Sequence, residues 1–193
     1  FGGYNASIKE TGDIGWLAGA AFQIPDIALK ASVTYRSEIE HSVNVKESFN
    51  SAGLLAGLNA APSLNTDITT PQSVNLDFQT GIMANTVAFA NVRWVDWSSF
   101  SIQPYKFGLA SKSAAIQAQT GKSEFDLVAY TDDQISATVG VGRKLNDQWA
   151  GNVSVGWDSG AGNPVTTLGP TEGYWNVGLG AQFSPTPQTF IAG

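Results

Sequence analysis

Apolar and polar residues alternate along much of the chain, most simply in the stretch WAGNVSVGW at 149–157. Every second residue from Trp149 to Trp157 is Trp, Gly or Val, and the residues between them are Ala, Asn, Ser and Gly. Successive side chains of a β-strand point to opposite faces, so the alternation predicts a strand with two different surroundings. In a tilted strand the two tryptophans would be roughly 20 Å apart along the barrel axis. This is close to the distance between the two aromatic girdles that lie at the membrane interfaces of a β-barrel.

Similar alternation predicts eight strands, joined by links of unequal length. The predicted strands are roughly 5–24, 27–47, 67–82, 86–104, 124–144, 149–159, 173–184 and a last one from about 188. Short links at 25–26, 83–86, 145–148 and 184–188 alternate with long links at 48–66, 105–123 and 160–172. In an up-and-down barrel this order puts all short turns at one end and all long loops at the other, as in outer-membrane barrels. A β-sandwich has no reason to sort its loops in this way.

Four ionisable residues inside these strands fall on the more polar face. They are Lys30, Arg36, Asp77 and Arg93. On a lipid-facing surface near the membrane midplane, an Arg or Lys would cost about 2–4 kcal/mol, whereas a barrel lumen can hydrate or pair it. The pattern therefore predicts an all-β protein, an antiparallel up-and-down transmembrane β-barrel, in preference to a soluble sandwich or jelly roll.

Composition narrows the class further. The 193 residues are 42% hydrophobic and 13% charged, and the net charge of -6 gives no basic surface for nucleic acid. The absence of cysteine excludes a disulfide scaffold and a thiol catalyst, and no apolar run is long enough for a membrane helix. The first residues, FGGYNASIKE, contain neither an initiator Met nor a signal-peptide core, so we expect a fragment of a longer chain.

Several stretches carry a resemblance to a known family. They are GWLAGAAFQI at 15–24, ALKASVTYRSEIEHSVNV at 28–45, VDWSSF at 95–100, ISATVGVGRKLNDQWAGNVSVGWDSG at 135–160 and EGYWNVGLGAQF at 172–183. Together they resemble the FadL-type family (OMPP1/FadL/TodX), bacterial outer-membrane transporters of long-chain fatty acids and related hydrophobic compounds.

The resemblance implies a 14-stranded barrel plugged by an N-terminal hatch. This chain would supply about seven to eight of those strands, from the sixth to the start of the thirteenth. Residues 1–193 are then the C-terminal part of one transmembrane barrel domain, without the hatch and the first strands. The remainder of the same barrel and outer-membrane lipid are its expected partners, because unpaired strand edges are not tolerated in lipid.

The long link at 48–66 is unusually apolar for a water-exposed loop. By resemblance it corresponds to the fourth extracellular loop, which with the third forms a groove that captures the lipid. The candidate groove residues are Leu54, Leu55, Leu58 and Leu64. Burial of acyl methylenes there would contribute about 0.8 kcal/mol each. The alternative is that these leucines only pack the loop onto the barrel rim.

A carboxylate-bearing ligand inside the barrel would need a cation, because an unpaired buried charge is costly. The candidate cations are Arg36, Arg93 and Lys122, and the candidate aromatic residues lining an apolar passage are Phe89 and Phe100. The alternative for the cations is an ion pair with Glu38, Glu40, Asp77 or Asp96, and the alternative for the two phenylalanines is packing.

The sequence predicts no catalytic residues, metal site or cofactor. The single histidine, His41, has no nucleophile at a recognisable spacing, and GWDSG at 156–160 is not a nucleophile elbow. The predicted function is passive outer-membrane transport of a hydrophobic small molecule, captured at the loops and passed through the barrel. The alternatives are a general porin for polar solutes and a soluble carbohydrate-binding β-sandwich.

Overall fold

The computed structural model describes residues 3–9, 12–50, 54–162, 172–186 and 188–193. The strands are β1 Tyr4–Ile8, β2 Leu17–Ile24, β3 Leu29–Arg36, β4 Ile39–Phe49, β5 Asn65–Thr70, β6 Ser73–Met83, β7 Thr86–Val95, β8 Ser101–Ile102, β9 Val128–Ala129, β10 Gln134–Lys144, β11 Trp149–Asp158, β12 Tyr174–Thr186 and β13 Thr189–Ala192. The α-helices are α1 Leu54–Gly57, α2 Tyr105–Ser111 and α3 Ala114–Thr120, and single 3-10 turns cover Pro25–Ile27, Leu58–Ala60 and Trp97–Ser99.

Eight of the strands form one antiparallel sheet. Its order is β13-β12-β11-β10-β7-β6-β3-β2. Among these eight strands, each one is therefore paired with the next one along the chain. This is the up-and-down arrangement that the sequence predicted, and the fold class is confirmed. The sheet is open within the described part of the chain, with β2 and β13 at its two edges.

Several predicted strands are wrong in extent. The predicted strand 5–24 contains β1 and β2, which lie in different sheets, and the predicted strand 27–47 breaks at 37–38 between β3 and β4. Most of the link 105–123 is helical, in α2 and α3. The alternation continues from the barrel strands into a second sheet, which contains β1, β4 and β5. Periodicity alone does not tell which sheet a strand joins.

The two faces of the large sheet differ along whole rows of paired residues. One row crosses seven strands and contains only apolar side chains: Phe22, Ala31, Phe78, Ala90, Val139, Val155 and Val177. The adjacent row on the other face is Gln23, Lys30, Gln79, Phe89, Gly140, Ser154 and Gly178. The register therefore aligns the apolar positions of separate strands into one continuous outer face, and leaves the other face as the lumenal wall.

Aromatic side chains mark both ends of this outer face. At the end near the long loops, Trp16 packs on Tyr35 with ring centroids 4.9 Å apart, and Trp157 is paired with Trp175 across β11 and β12. At the end near the short turns, the Trp149 and Phe183 rings are 4.8 Å apart. Such girdles are typical of strands that cross a membrane. No helix among the described residues is long and apolar enough to cross one.

The long connections fold together beyond the end of the barrel sheet. They contain a three-stranded sheet in the order β1-β4-β5, the short pair β8-β9 and the three helices. Strand β4 alternates strictly, and its buried residues are Val43, Val45, Glu47 and Phe49. These pack in the same core as Phe107, Ala110 and Val128 of the next long connection. We call this unit the loop assembly.

Candidate functional site

The predicted capture leucines lie in the loop assembly, in α1 and the segment after it. Leu55 is half-buried and lines a small apolar cavity of about 10 Å³ with Phe49 and Phe107. Leu58 is half-buried in the Leu58–Ala60 turn, whereas Leu64 is 42% exposed. Leu54 begins α1, and its side chain lies outside the described part. The three leucines whose side chains are described thus comprise two half-buried residues, Leu55 and Leu58, and one exposed residue, Leu64.

Asn59 ties this segment to β4. Its side-chain Oδ1 accepts a hydrogen bond of 2.8 Å from the Phe49 amide, and its Nδ2 donates one of 2.9 Å to the Phe49 carbonyl. One amide side chain therefore satisfies both backbone groups of Phe49 on the edge of β4 away from β1, because the pairing with β5 ends at Asn44. The contact places the 58–60 turn against the end of β4.

Glu47 is a buried carboxylate at the centre of the loop assembly. Its Oε1 accepts hydrogen bonds from the phenol of Tyr4, at 2.9 Å, and from the amide of Phe107, at 2.8 Å. Its Oε2 accepts one of 2.9 Å from the amide of Lys106. The amides belong to the first turn of α2, where backbone N–H groups have no partner within the helix. The carboxylate thus serves as a cap supplied by another segment.

Lys106 is buried beside this carboxylate, with 4% of its surface exposed. Its Nζ donates hydrogen bonds to the backbone carbonyls of Asn59, at 3.1 Å, and Glu47, at 3.4 Å. The ammonium group thus joins α2 to the 58–60 turn. On the other side of the carboxylate, burial and the hydrogen bond to Glu47 raise the pKa of the Tyr4 phenol.

The sequence analysis did not single out Tyr4, Glu47, Asn59 or Lys106. One signal was present: an acidic residue stands at an inward position in the alternation of β4, between Val45 and Phe49. A charge at such a position requires buried partners. Which donors supply them depends on α2, which is about 60 residues further along the chain.

Arg36 and Arg93 lie on the lumenal face of the barrel sheet. Arg36 is on β3 and Arg93 on β7, and both strands pair with β6, so the arginines flank that strand. Neither forms a salt bridge with any residue that the structure describes. Between them, Asn75 of β6 is paired with Arg93, and its Oδ1 is buried without a hydrogen-bond partner. This part of the wall offers two cations that no carboxylate of the described residues neutralises.

Two of the four carboxylates expected as alternative partners of these cations, Asp77 and Asp96, make other contacts. Asp77 accepts hydrogen bonds from Asn91, at 2.7 Å, and Ser32, at 3.3 Å. Asp96 accepts one of 3.0 Å from Gln72. Glu38 and Glu40 are exposed, and neither forms a salt bridge in the described structure.

The remaining lumenal candidates are placed differently from one another. Phe89 lies on the lumenal face of β7, and its ring covers Gly140 of β10. Phe100 and Lys122 were predicted as lumenal ligand-binding residues, and both lie in the connection between β7 and β10 instead of on a barrel strand. Phe100 packs with Trp97 and Tyr130, and Lys122 is exposed just after α3. The predicted strand 86–104 ends at residue 95, so the alternation beyond that residue does not tell which side chains face the lumen.

Hydrogen bonds fix this connection to the rim of the barrel. The indole of Trp94 donates to Asp133 at 2.9 Å, and the hydroxyl of Ser98 donates to the same carboxylate at 2.6 Å. These bonds, led by that of Ser98, lower the pKa of Asp133. His41 contacts Asp13 at 2.8 Å, and the described residues contain no cluster of three metal-binding side chains. The contacts at the rim are structural in character.

A concavity of about 1380 Å³ opens at the short-turn end of the lumenal face. Its lining includes Met83, Val87, Phe89, Ala150 and the lumenal glycines of β10 and β12. Gly and Ala alternate in this lining with long side chains, and the charged residues Asp26, Arg143 and Lys144 also belong to it. The concavity is open, since the described sheet encloses it on one side only.

Comparison with known proteins agrees with this geometry. A crystal structure of a Pseudomonas aeruginosa FadL homologue matches with a TM-score of 0.59 and 18% sequence identity, over 92% of this chain and 41% of that one. At this identity the likeness concerns the fold. A search of curated proteins gives no match. The profile of the family described as outer membrane protein transport protein (OMPP1/FadL/TodX) matches residues 6–191. The chain therefore belongs to this family of Gram-negative outer-membrane proteins.

Proposed function

We propose that the protein containing this chain carries hydrophobic molecules passively across the outer membrane. The observation that carries the proposal is the family match over residues 6–191, on a sheet with one continuous apolar face and one polar face. The chain spans 41% of the FadL homologue that it matches, so the remainder of the barrel takes part in the activity. That remainder would pair with the edges at β2 and β13.

The proposed substrates are long-chain fatty acids or related apolar compounds. A carboxylate that enters the lumen loses part of its hydration and requires a cation. Arg36 and Arg93 support this assignment, because neither is neutralised by a salt bridge in the described structure. Phe89 would provide apolar contact nearer the short-turn end. The transport requires no bond-breaking chemistry and no cofactor.

Capture is proposed to begin on the loop assembly, at Leu54, Leu55, Leu58 and Leu64. A direct role in binding is best supported for Leu64, because its exposed side chain can contact a ligand without any rearrangement of the loop. Leu55 would act through the shape of the loop, since it lines the cavity beside Phe49 and Phe107. Lys122, on the exposed surface after α3, would attract the carboxylate before it enters the barrel.

A general porin for polar solutes is a second candidate, and one observation favours it. The lumenal rows of this sheet consist mainly of Ser, Thr, Asn, Gln and Gly. Such a wall is compatible with water-filled passage. Swelling of protein-containing liposomes in a small sugar would support this candidate, whereas saturable binding of a fatty acid would support the transporter.

The test of the proposed function is binding of tritium-labelled oleate to the complete protein in detergent, with folding checked by heat-modifiable gel mobility. Saturable binding is expected, and it should weaken in Leu64→Asp. The matched control is Leu145→Asp, because Leu145 is also exposed but lies in a short turn at the other end of the barrel. A folded barrel without saturable binding would overturn the fatty-acid assignment.

The lumenal cations are tested with the same protein and two ligands. Arg36→Gln and Arg93→Gln should weaken oleate binding and leave binding of methyl oleate nearly unchanged, because the ester carries no charge. Lys112→Gln is the control, since Lys112 is exposed and its ammonium group is already paired with Glu124 at 2.8 Å. Equal effects on both ligands would contradict a role in recognising the carboxylate.

A further inference from the structure

Glu47 joins three segments that are distant in the sequence. Its carboxylate is 6% exposed and accepts hydrogen bonds from Tyr4 on β1 and from Lys106 and Phe107 at the start of α2. Each oxygen of the carboxylate is used, and all three donors are within 2.9 Å. A buried charge with this many donors is held in one orientation, and it holds the donors in return.

The second half of the contact runs through Lys106. Its buried Nζ donates to the carbonyl of Asn59, so α2 and the 58–60 turn are fixed to each other. Asn59 is in turn bonded to both backbone groups of Phe49, two residues after Glu47 on β4. The positions of α2, the turn and β4 therefore depend on one connected set of hydrogen bonds.

This set lies next to the apolar surface of the loop. Phe107 donates its amide to Glu47, and its ring lines the same cavity as Leu55 and Phe49. Leu58 begins the turn that contains Asn59. A shift of α2 or of the turn would thus change the spacing between Leu55 and the rings of Phe49 and Phe107.

We propose that Glu47 is a positioning residue for hydrophobic-ligand capture: its carboxylate holds α2 and the 58–60 turn in the one arrangement that presents the apolar loop surface. This inference rests on the proposed function. Glu47 does not contact the ligand. It acts through Phe107, Lys106 and, beyond them, the leucine-bearing segment. The raised pKa of Tyr4 agrees with a strong contact between the phenol and this carboxylate.

The testing variant is Glu47→Gln in the complete protein in detergent. Glutamine has nearly the same shape as glutamate, but its amide has only one acceptor oxygen. Its NH₂ group would take the place of the other oxygen and cannot accept a hydrogen bond from a backbone N–H, so at least one of the present hydrogen bonds is lost. The matched control is Glu40→Gln, since Glu40 is exposed on the opposite face of the same strand. Heat-modifiable mobility confirms that both variants retain the folded barrel.

Two readouts are measured on each protein. The first is the affinity for labelled oleate. The second is the distance distribution between spin labels at Ala60→Cys and Leu109→Cys, which are exposed positions on the turn and on α2. The chain contains no cysteine, so within it the labels go only to these two positions. A role limited to stability would leave both readouts unchanged in the folded protein.

We expect Glu47→Gln to broaden the distance distribution and to weaken oleate binding about tenfold, while Glu40→Gln changes neither. An unchanged distance distribution would overturn the proposal, whatever the affinity. A broadened distribution with unchanged affinity would overturn it as well. If the unsubstituted protein binds no oleate, the proposed function fails, and so does the link to capture. The distance measurement still decides then whether Glu47 fixes the loop geometry.

Discussion

The phenol of Tyr4 donates a hydrogen bond of 2.9 Å to Oε1 of Glu47, so side chains as well as backbone bonds join β1 to β4. Burial and this hydrogen bond raise the pKa of Tyr4 above its usual value of about 10. A group whose pKa is raised by folding contributes stability that is complete below the unfolded pKa and is lost as the pH rises above it.

We therefore expect the loop assembly to lose stability from about pH 10 upward. Tyr4→Phe should lack this alkaline component, because it has no proton to lose. Protease susceptibility of the loops in the detergent-solubilised barrel, followed between about pH 8 and pH 11, measures it. Tyr105→Phe is the control, since Tyr105 is exposed on α2. The same alkaline loss in Tyr4→Phe would contradict the assignment.

The two faces of β10 should tolerate charge very differently. Val139 lies in the apolar row of the outer face, and its neighbour Thr138 lies on the lumenal face. Val139→Lys should lower the free energy of unfolding in lipid vesicles by about 2–4 kcal/mol, because the ammonium group would face hydrocarbon near the midplane. Thr138→Lys should have a much smaller effect. Urea titration of both variants in vesicles tests this, and equal losses would argue against a membrane-facing outer surface.

Gly140 is required by close packing on the lumenal wall. A Cβ at this position would overlap the ring of Phe89 and would lie 2.6 Å from the carbonyl oxygen of Val153. The backbone oxygen has little freedom to move, so Gly140→Ala should destabilise the barrel by about 1–3 kcal/mol.

The control for this substitution is Gly142→Ala, two residues further along the same face. Its nearest atom would be 3.5 Å away, which is an ordinary contact. We expect no loss there. Because the Val153 carbonyl remains, adding Phe89→Leu to Gly140→Ala should recover only part of the stability. Full recovery in the double variant would show that the ring alone requires the glycine.

Asn59 should matter more than its exposed surface position suggests. Asn59→Ala removes the acceptor for the Phe49 amide and the donor to the Phe49 carbonyl. The loss of these bonds should destabilise the loop assembly by about 1–3 kcal/mol. Limited proteolysis in the folded barrel measures the local opening. Asn44→Ala is the control, because Asn44 makes one exposed side-chain bond of 3.2 Å to Asn65. Similar opening rates in the two variants would refute the prediction.

Periodicity predicted the barrel strands better than the loops, for a reason visible in particular residues. Along β11 every second side chain from Trp149 to Trp157 meets the same surroundings, so the pattern is local and can be counted. In β4 the alternation is equally regular, but Glu47 and Phe49 contact a helix from another connection. The sequence pattern is the same, and only the packing partner differs.

The sequence by itself determined the class of fold, the order of short and long connections and the face on which each strand residue lies. These follow from the two-residue period of a strand and from the cost of charge in lipid. The tertiary structure alone decided which strands leave the barrel for the loop assembly. It alone placed Phe100 in the connection after β7 and brought Glu47 to the start of α2. Those outcomes depend on contacts between residues far apart in the chain, and no local pattern encodes them.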